Sequence, residues 1–348
     1  MGTLSSSQSR WLPRFVWFTA ATTLFLICSG GMVTSKGVGL AVPDWPTTFG
    51  YNMFLFPVSQ WVEGIFFEHT HRLIASVVGF LTIALAIWLW RTEGRRWLRV
   101  LGVVALGAVI LQGVLGGLRV TLLKDEIGIF HACLAQGFFG LLVFIGIALS
   151  RWWKEAGHQR GAGLPGGAVA LVVATTALIY LQLGLGATMR HQHRDLAILD
   201  FPAAYGQVIP DVSASTLVEV NRWRDDQALS TVTVGQIWLQ MAHRFGALLV
   251  FLGVARSWFQ MRAAPPVLRR LSRFWAIGVL LQITLGAWTI WSNKAADIAT
   301  AHVAVGATML ALGISLSAMS ARVRERVRGV VPAAPQAKFR QPAGVHAL

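Results

Sequence analysis

The segment FFEHTHRLIAS, residues 66–76, sets a glutamate, two histidines and an arginine side by side where a long apolar run begins. Part of this group returns 172 residues later, where Gln240, His243 and Arg244 stand in place of Glu68, His71 and Arg72. Two further histidines, His131 and His302, open apolar runs in the same manner, 171 residues apart. Neutral imidazole is a common ligand for transition metals and for haem iron. A lone histidine at a helix start is usually a satisfied end group, but four at matched depth call for a shared purpose. Glu68 lies one turn further out than His71 on the same helical face, where a carboxylate could handle a proton at a reacting centre. Its counterpart Gln240 keeps the shape and loses the charge. Arg72 and Arg244 either carry their charge out to the interface or pair with acidic groups of a bound cofactor.

The elements that must position these groups are membrane spans. The chain is 55% hydrophobic and 13% charged, with a mean hydropathy of +0.57, far from the balance of a soluble domain. Apolar runs of about 20 residues, enough to cross a hydrocarbon core at about 1.5 Å per residue, fall at 14–34, 69–90, 99–119, 127–149, 166–189, 235–256, 270–291 and 299–320. The first is too long for a signal-peptide core, so eight helices cross the bilayer. The N-tail, the segments around 91–99, 151–160 and 256–273, and the C-tail hold 20 of the 30 Lys and Arg but 3 of the 15 Asp and Glu. That asymmetry places both termini in the cytoplasm of a cell (inner) membrane protein, with all four histidines near the external face. It also accounts for the net charge of +15 without a nucleic-acid partner.

The chain is written twice. GLAVPDWPTTFGY (39–51) matches DLAILDFPAAYGQ (195–207), THRLIASVVGFL (70–81) answers AHRFGALLVFLG (242–253), LQGVLGG (111–117) answers LQITLGA (281–287), and FHACLAQGFFGLL (130–142) answers AHVAVGATMLAL (301–312). This predicts an all-α protein of two tandem four-helix bundles: a unit over 1–160, a second over 161–320 with an inserted external loop at about 207–234, and a basic cytoplasmic tail over 321–348. In each unit the two histidines sit on the second and fourth helices, which stand diagonally in an up-down-up-down bundle. With neighbouring axes roughly 10 Å apart, the diagonal is about 14 Å, close to the span of two imidazoles reaching for one iron. A flat apolar macrocycle suits that gap, so the geometry predicts one haem per half. A bare zinc or copper ion would more often recruit a third protein ligand.

The remaining polar groups are less informative. His69 points about 160° away from His71 on a helix of about 3.6 residues per turn and is expected to face water or a neighbouring helix. His191 and His193 lack partners in the other unit and read as a solvated helix end. Cys28 and Cys133 fall inside predicted helices, away from disulfide chemistry. Tryptophans such as Trp88, Trp97, Trp153 and Trp291 mark span ends.

Taken together, EHTHR, FHACLAQ, MAHRFG and TAHVAVG within two four-helix units resemble the haem A synthase family, over nearly the whole chain to about residue 320. The resemblance implies oxidation of the C8 methyl of haem O to a formyl group by successive hydroxylations with water-derived oxygen, giving haem A for cytochrome c oxidase. It further implies that His71 and His131 hold the substrate haem, that His243 and His302 ligate a permanent haem B, and that Glu68 is the catalytic carboxylate. An electron acceptor such as a quinone, and contact with haem O synthase, would follow. Some bacterial members carry paired cysteines in external loops, a feature this chain lacks. A di-haem b-type electron carrier is the alternative, although such carriers set their haems toward opposite faces. A repeat transporter would show helices broken near the midplane.

Overall fold

The computed structural model describes residues 11–155, 164–191 and 196–330. Their regular structure is helical: α1 Trp11–Ser35, α2 Glu63–Thr92, α3 Arg96–Leu122, α4 Asp125–Leu149, α5 Arg151–Glu155, α6 Ala168–His191, α7 Ala214–Asp226, α8 Val234–Gln260, α9 Pro266–Trp291 and α10 Ala296–Val330. Eight of these, all but α5 and α7, are long and apolar enough to cross a membrane. A helix satisfies its own backbone groups, which hydrocarbon cannot do. Large apolar side chains such as Phe25, Phe80 and Leu181 remain exposed on their outer faces, as a lipid-facing surface requires.

The helices close into two rings. In the first, α1 packs on α2, α2 on α3, α3 on α4 and α4 back on α1; in the second, α6 packs on α8, α8 on α9, α9 on α10 and α10 back on α6. In each, the histidine-bearing helices (α2 with α4, α8 with α10) stand across the diagonal, as expected. The rings meet through α1 with α10, α4 with α6, and α4 with α10. Consequently α4 and α10 are the most enclosed spans, 61% and 50% buried against 33% or less for the others.

Two boundaries differ most from the hydropathy reading. Helix α2 begins at Glu63, before the apolar run, because Glu63 favours the positive helix start and Glu68 finds partners in the loop above. Helix α10 continues past residue 320 to Val330, since SARVRERVRG contains good helix formers and no proline. His193, and the tail beyond 330, lie outside the described residues.

The loops above the histidines are built alike. Between α1 and α2, the Asp44 carboxylate accepts from the amides of Phe49 (2.8 Å) and Gly50 (2.9 Å). Between α6 and α8, Asp200 accepts from Tyr205 and Gly206, both at 2.9 Å. Each turn ends on a glycine at positive φ, Gly50 at +78° and Gly206 at +76°, a conformation that side chains disfavour. Burial opposes ionisation of Asp44, yet the bonds from Gly50, Thr47 and Phe49 hold its carboxyl below the ordinary value.

The stretch 207–234 is more ordered than a solvated loop. It contains α7, capped by the Ser213 side chain on the Thr216 amide. Buried Arg224 donates to the carbonyls of Ser230 (2.7 Å), Leu196 and Ala197 (both 3.2 Å). Leu217 and Val220 cover a small core of Ala197, Ile198, Ala204, Val232, Ile237 and Met241, forming a cap over the start of α8.

Candidate functional site

All four histidines lie within the first three turns of their spans, at one end of the molecule. His71 and His131 are near enough to interact electrostatically, as are His243 and His302, so each ring holds one facing pair. In each case a neighbouring helix offers a glycine to the ring edge. A Cβ built on Gly30 of α1 would lie 2.9 Å from His71 Cε1; on Gly116 of α3, 3.4 Å from His131; on Gly186 of α6, 3.3 Å from His243; on Gly286 of α9, 3.1 Å from His302. The imidazoles therefore lie flush against the adjacent backbone. Sequence reasoning missed these glycines, although their spacings, 156 residues for Gly30 and Gly186 and 170 for Gly116 and Gly286, are those of the matching segments.

Glutamines on the neighbouring helices complete the supports. Gln112 Nε2 donates to the His131 carbonyl at 2.9 Å, and Gln282 Nε2 lies 3.4 Å from His302 Nε2. Gln182, present only in the second ring, reaches His243 Nδ1 at 3.0 Å and donates to its carbonyl at 2.7 Å; the matched residue in α1 is Leu26.

Above the pairs, Glu68 is buried, accepting from the Val42 amide at 2.9 Å and pairing with Arg72 at 2.8 Å. Gln240, equally buried, exchanges two bonds with Ile198: the Ile198 amide donates to Oε1 (2.7 Å), and Nε2 donates to the Ile198 carbonyl (3.0 Å). The two residues brace corresponding loops, one with charge and one without. Arg72 also donates to the carbonyls of Val42 (2.8 Å), Asp44 (2.6 Å) and Thr47 (3.1 Å). Arg244 donates to those of Asp200 and Ala203, both at 2.7 Å. Both guanidinium groups thus fasten loops rather than reach outward, and Arg244 Nε remains buried without a partner.

His69 departs from its expected setting. It is fully buried, its ring 5.1 Å from that of Phe56 and 4.7 Å from that of Trp61, with Nδ1 3.2 Å from Thr48 Oγ1. The α1–α2 loop folds back over the start of α2 and claims the face that helical geometry alone assigns to water or another helix. His191 is buried beside Gly128 of α4, not solvated. Cys28 and Cys133 are free thiols inside α1 and α4.

The donor set fits a macrocycle better than a bare ion. Among the described residues, no three His, Cys, Asp or Glu side chains converge as a metal ion would ask. Nδ1 of His71, His131 and His302 is buried without a hydrogen-bond partner, which leaves a ring nitrogen of each uncommitted within the protein. Two opposed imidazoles per ring match axial ligation of a haem iron.

A family described as cytochrome oxidase assembly protein matches residues 13–314. Among curated relatives, the Heme A synthase of Bacillus licheniformis is 25% identical over 321 residues, 89% of this chain and 96% of that protein. That of Geobacillus kaustophilus is 25% identical over 307 residues, 82% and 85% of the two chains. That of Shouchella clausii is 30% identical over 206 residues, 58% of this chain and 66%, just under two thirds, of the relative. With the matched region running from α1 into α10 and taking in both histidine pairs, the chain belongs to the COX15-CtaA family of cytochrome oxidase assembly proteins.

Proposed function

We propose that this multi-pass membrane protein oxidises haem O to haem A, and that its two rings are a tandem repeat with divided labour. The observation that carries the reading is an asymmetry: two matched histidine pairs, of which only the first lies beneath a carboxylate, Glu68 against Gln240. Relatives named Heme A synthase, one aligned over 96% of its length, support the same reaction.

In this reading residues 1–160 form the substrate unit and residues 161–320 the cofactor unit, with 321–348 as a basic tail. His71 and His131 hold haem O. His243 and His302 hold haem B, which supplies a one-electron relay when bound. Converting the C8 methyl to a formyl group with oxygen from water releases four electrons and four protons overall. Removing hydride equivalents leaves an electron-poor carbon on the macrocycle rim, and a carboxylate beside it can stabilise that charge and take a proton from the attacking water. In this reading Glu68 does both, and its bonds to Val42 and Arg72 fix its direction before substrate arrives. The loop-fastening Arg72 and Arg244 border the two cofactor spaces, with Arg244 Nε available to a bound acid. His131 and His302 stand on α4 and α10, which pack together, so that contact is one protein route between the rings. Electrons then leave to a quinone or a partner protein, and haem O synthase is a natural donor of substrate. Basic loops at the opposite end set the termini in the cytoplasm and the histidines outward.

The test is chromatography with mass detection of haems extracted from the purified protein, made in a host that supplies haem O but no haem A. Haem B together with haem A or its hydroxylated precursor is expected. Haem B alone at two per chain would replace this reading with that of an electron carrier.

A further inference from the structure

Between the ring ends at the histidine side lies a cavity of about 100 Å³, lined in part by Arg119, Lys124, Arg190 and His191, with Asp125 as its one acid. Arg119 sits in the last turn of α3, a charged residue inside an apolar span, which is costly unless it serves a purpose. Its Nη1 lies 2.9 Å from where a Cβ on Gly39 would be, and its Nε 3.2 Å from one on Gly128. Two glycines thus clear the space the guanidinium occupies. The acids nearest to it, Glu68 and Asp125, act on it only through space, and Glu68 is already paired with Arg72. Arg119 also lies within electrostatic reach of both His71 and His131. In α9 the matched residue is Thr289, so this cation belongs to the first ring alone.

We propose that this cavity is a carboxylate site in which Arg119, assisted by Lys124, anchors a propionate of the macrocycle held between His71 and His131. The inference rests on the haem reading above. It moves the acid-binding role in the first ring from Arg72, whose donors are taken by loop carbonyls and Glu68, to a residue the repeat pattern does not mark. A planar guanidinium can take a carboxylate through two parallel bonds. A lipid phosphate carries similar chemistry, and the test separates the two.

The full-length protein, purified from a host without haem O, is titrated with iron protoporphyrin IX and with its dimethyl ester, following the Soret band, in nanodiscs with and without phosphatidylglycerol. The His71→Ala variant identifies the first-ring signal. Wild type should bind the free acid about tenfold or more tightly than the ester. Arg119→Gln should lose that preference by weakening the free acid alone, while Arg119→Lys retains part of it. An unchanged acid-over-ester preference in Arg119→Gln would overturn the proposal, as would an effect of the substitution that appears only with the anionic lipid. Absence of any His71-dependent signal in wild type would instead remove the haem reading itself.

Discussion

The two rings share a frame and differ in charge. Each has a diagonal histidine pair, a glycine against each imidazole, and an aspartate-centred loop fastened by an arginine. On that frame the first ring places Glu68, His69 and Arg119, where the second has Gln240, Met241 and Thr289. The shared parts, two imidazoles and a fastened roof, are those that the proposed haem would need in either ring. The differing parts can move a proton or meet an acid. On the proposal above, the two rings are equivalent pockets and the buried carboxylate marks the one where chemistry is done.

If that division is right, making the first ring resemble the second should abolish reaction before binding. Glu68→Gln should lower formyl formation by roughly 10²–10⁴-fold with both haem spectra retained, and Gln240→Glu should create no second reactive site. Product analysis beside absorption spectra checks both.

Removing the loop fasteners comes next in size. Arg72→Ala leaves Glu68 buried without its cation and should cost about 3–5 kcal/mol. Arg244→Ala leaves only carbonyls unpaired and should cost about 1–3 kcal/mol. Thermal unfolding in one detergent gives the order, and equal losses would erase the contrast between charged and neutral roofs.

The glycines offer a graded series. Gly30→Ala, with the shortest approach at 2.9 Å, should displace His71 and weaken the first-ring haem most, whereas Gly116→Ala, at 3.4 Å, should be tolerated. Crowding of this kind costs about 1–3 kcal/mol. Haem retention by each variant after gel filtration is the readout.

The smallest effect concerns pH. Because the Asp44 carboxyl is held below its ordinary 3.8, its contribution to the loop is complete above that value and is lost as pH falls through the lowered one. Protection of the Phe49 and Gly50 amides, measured as exchange relative to the intrinsic rate at each pH, should fall only below pH 3.8 in wild type but already be reduced at neutral pH in Asp44→Asn.

Much of this was legible in the sequence because it depends on local pattern. Hydropathy marks the eight spans, and matched spacing marks His71, His131, His243 and His302 and sets Glu68 against Gln240. What escaped depends on how chains meet. The glycines facing the imidazoles look like ordinary packing residues until the neighbouring helix is in place. Arg119 lacks a counterpart, so comparing halves passes over it, although a cation in an apolar run is itself a signal. Helical angle alone turns His69 outward, and its burial comes from an irregular loop that no periodicity describes. Hydropathy likewise cannot see α7, whose thirteen residues are folded by Arg224 and a six-residue core.

The division of labour is tested most directly by counting extracted haems, by chromatography with mass detection, in His71→Ala and His243→Ala purified from a host that makes haem O. His71→Ala should lose haem O and its oxidised products while keeping haem B. His243→Ala should lose haem B and retain unoxidised haem O. Loss of haem B from the first variant, with haem O kept, would contradict the assignment of the two rings.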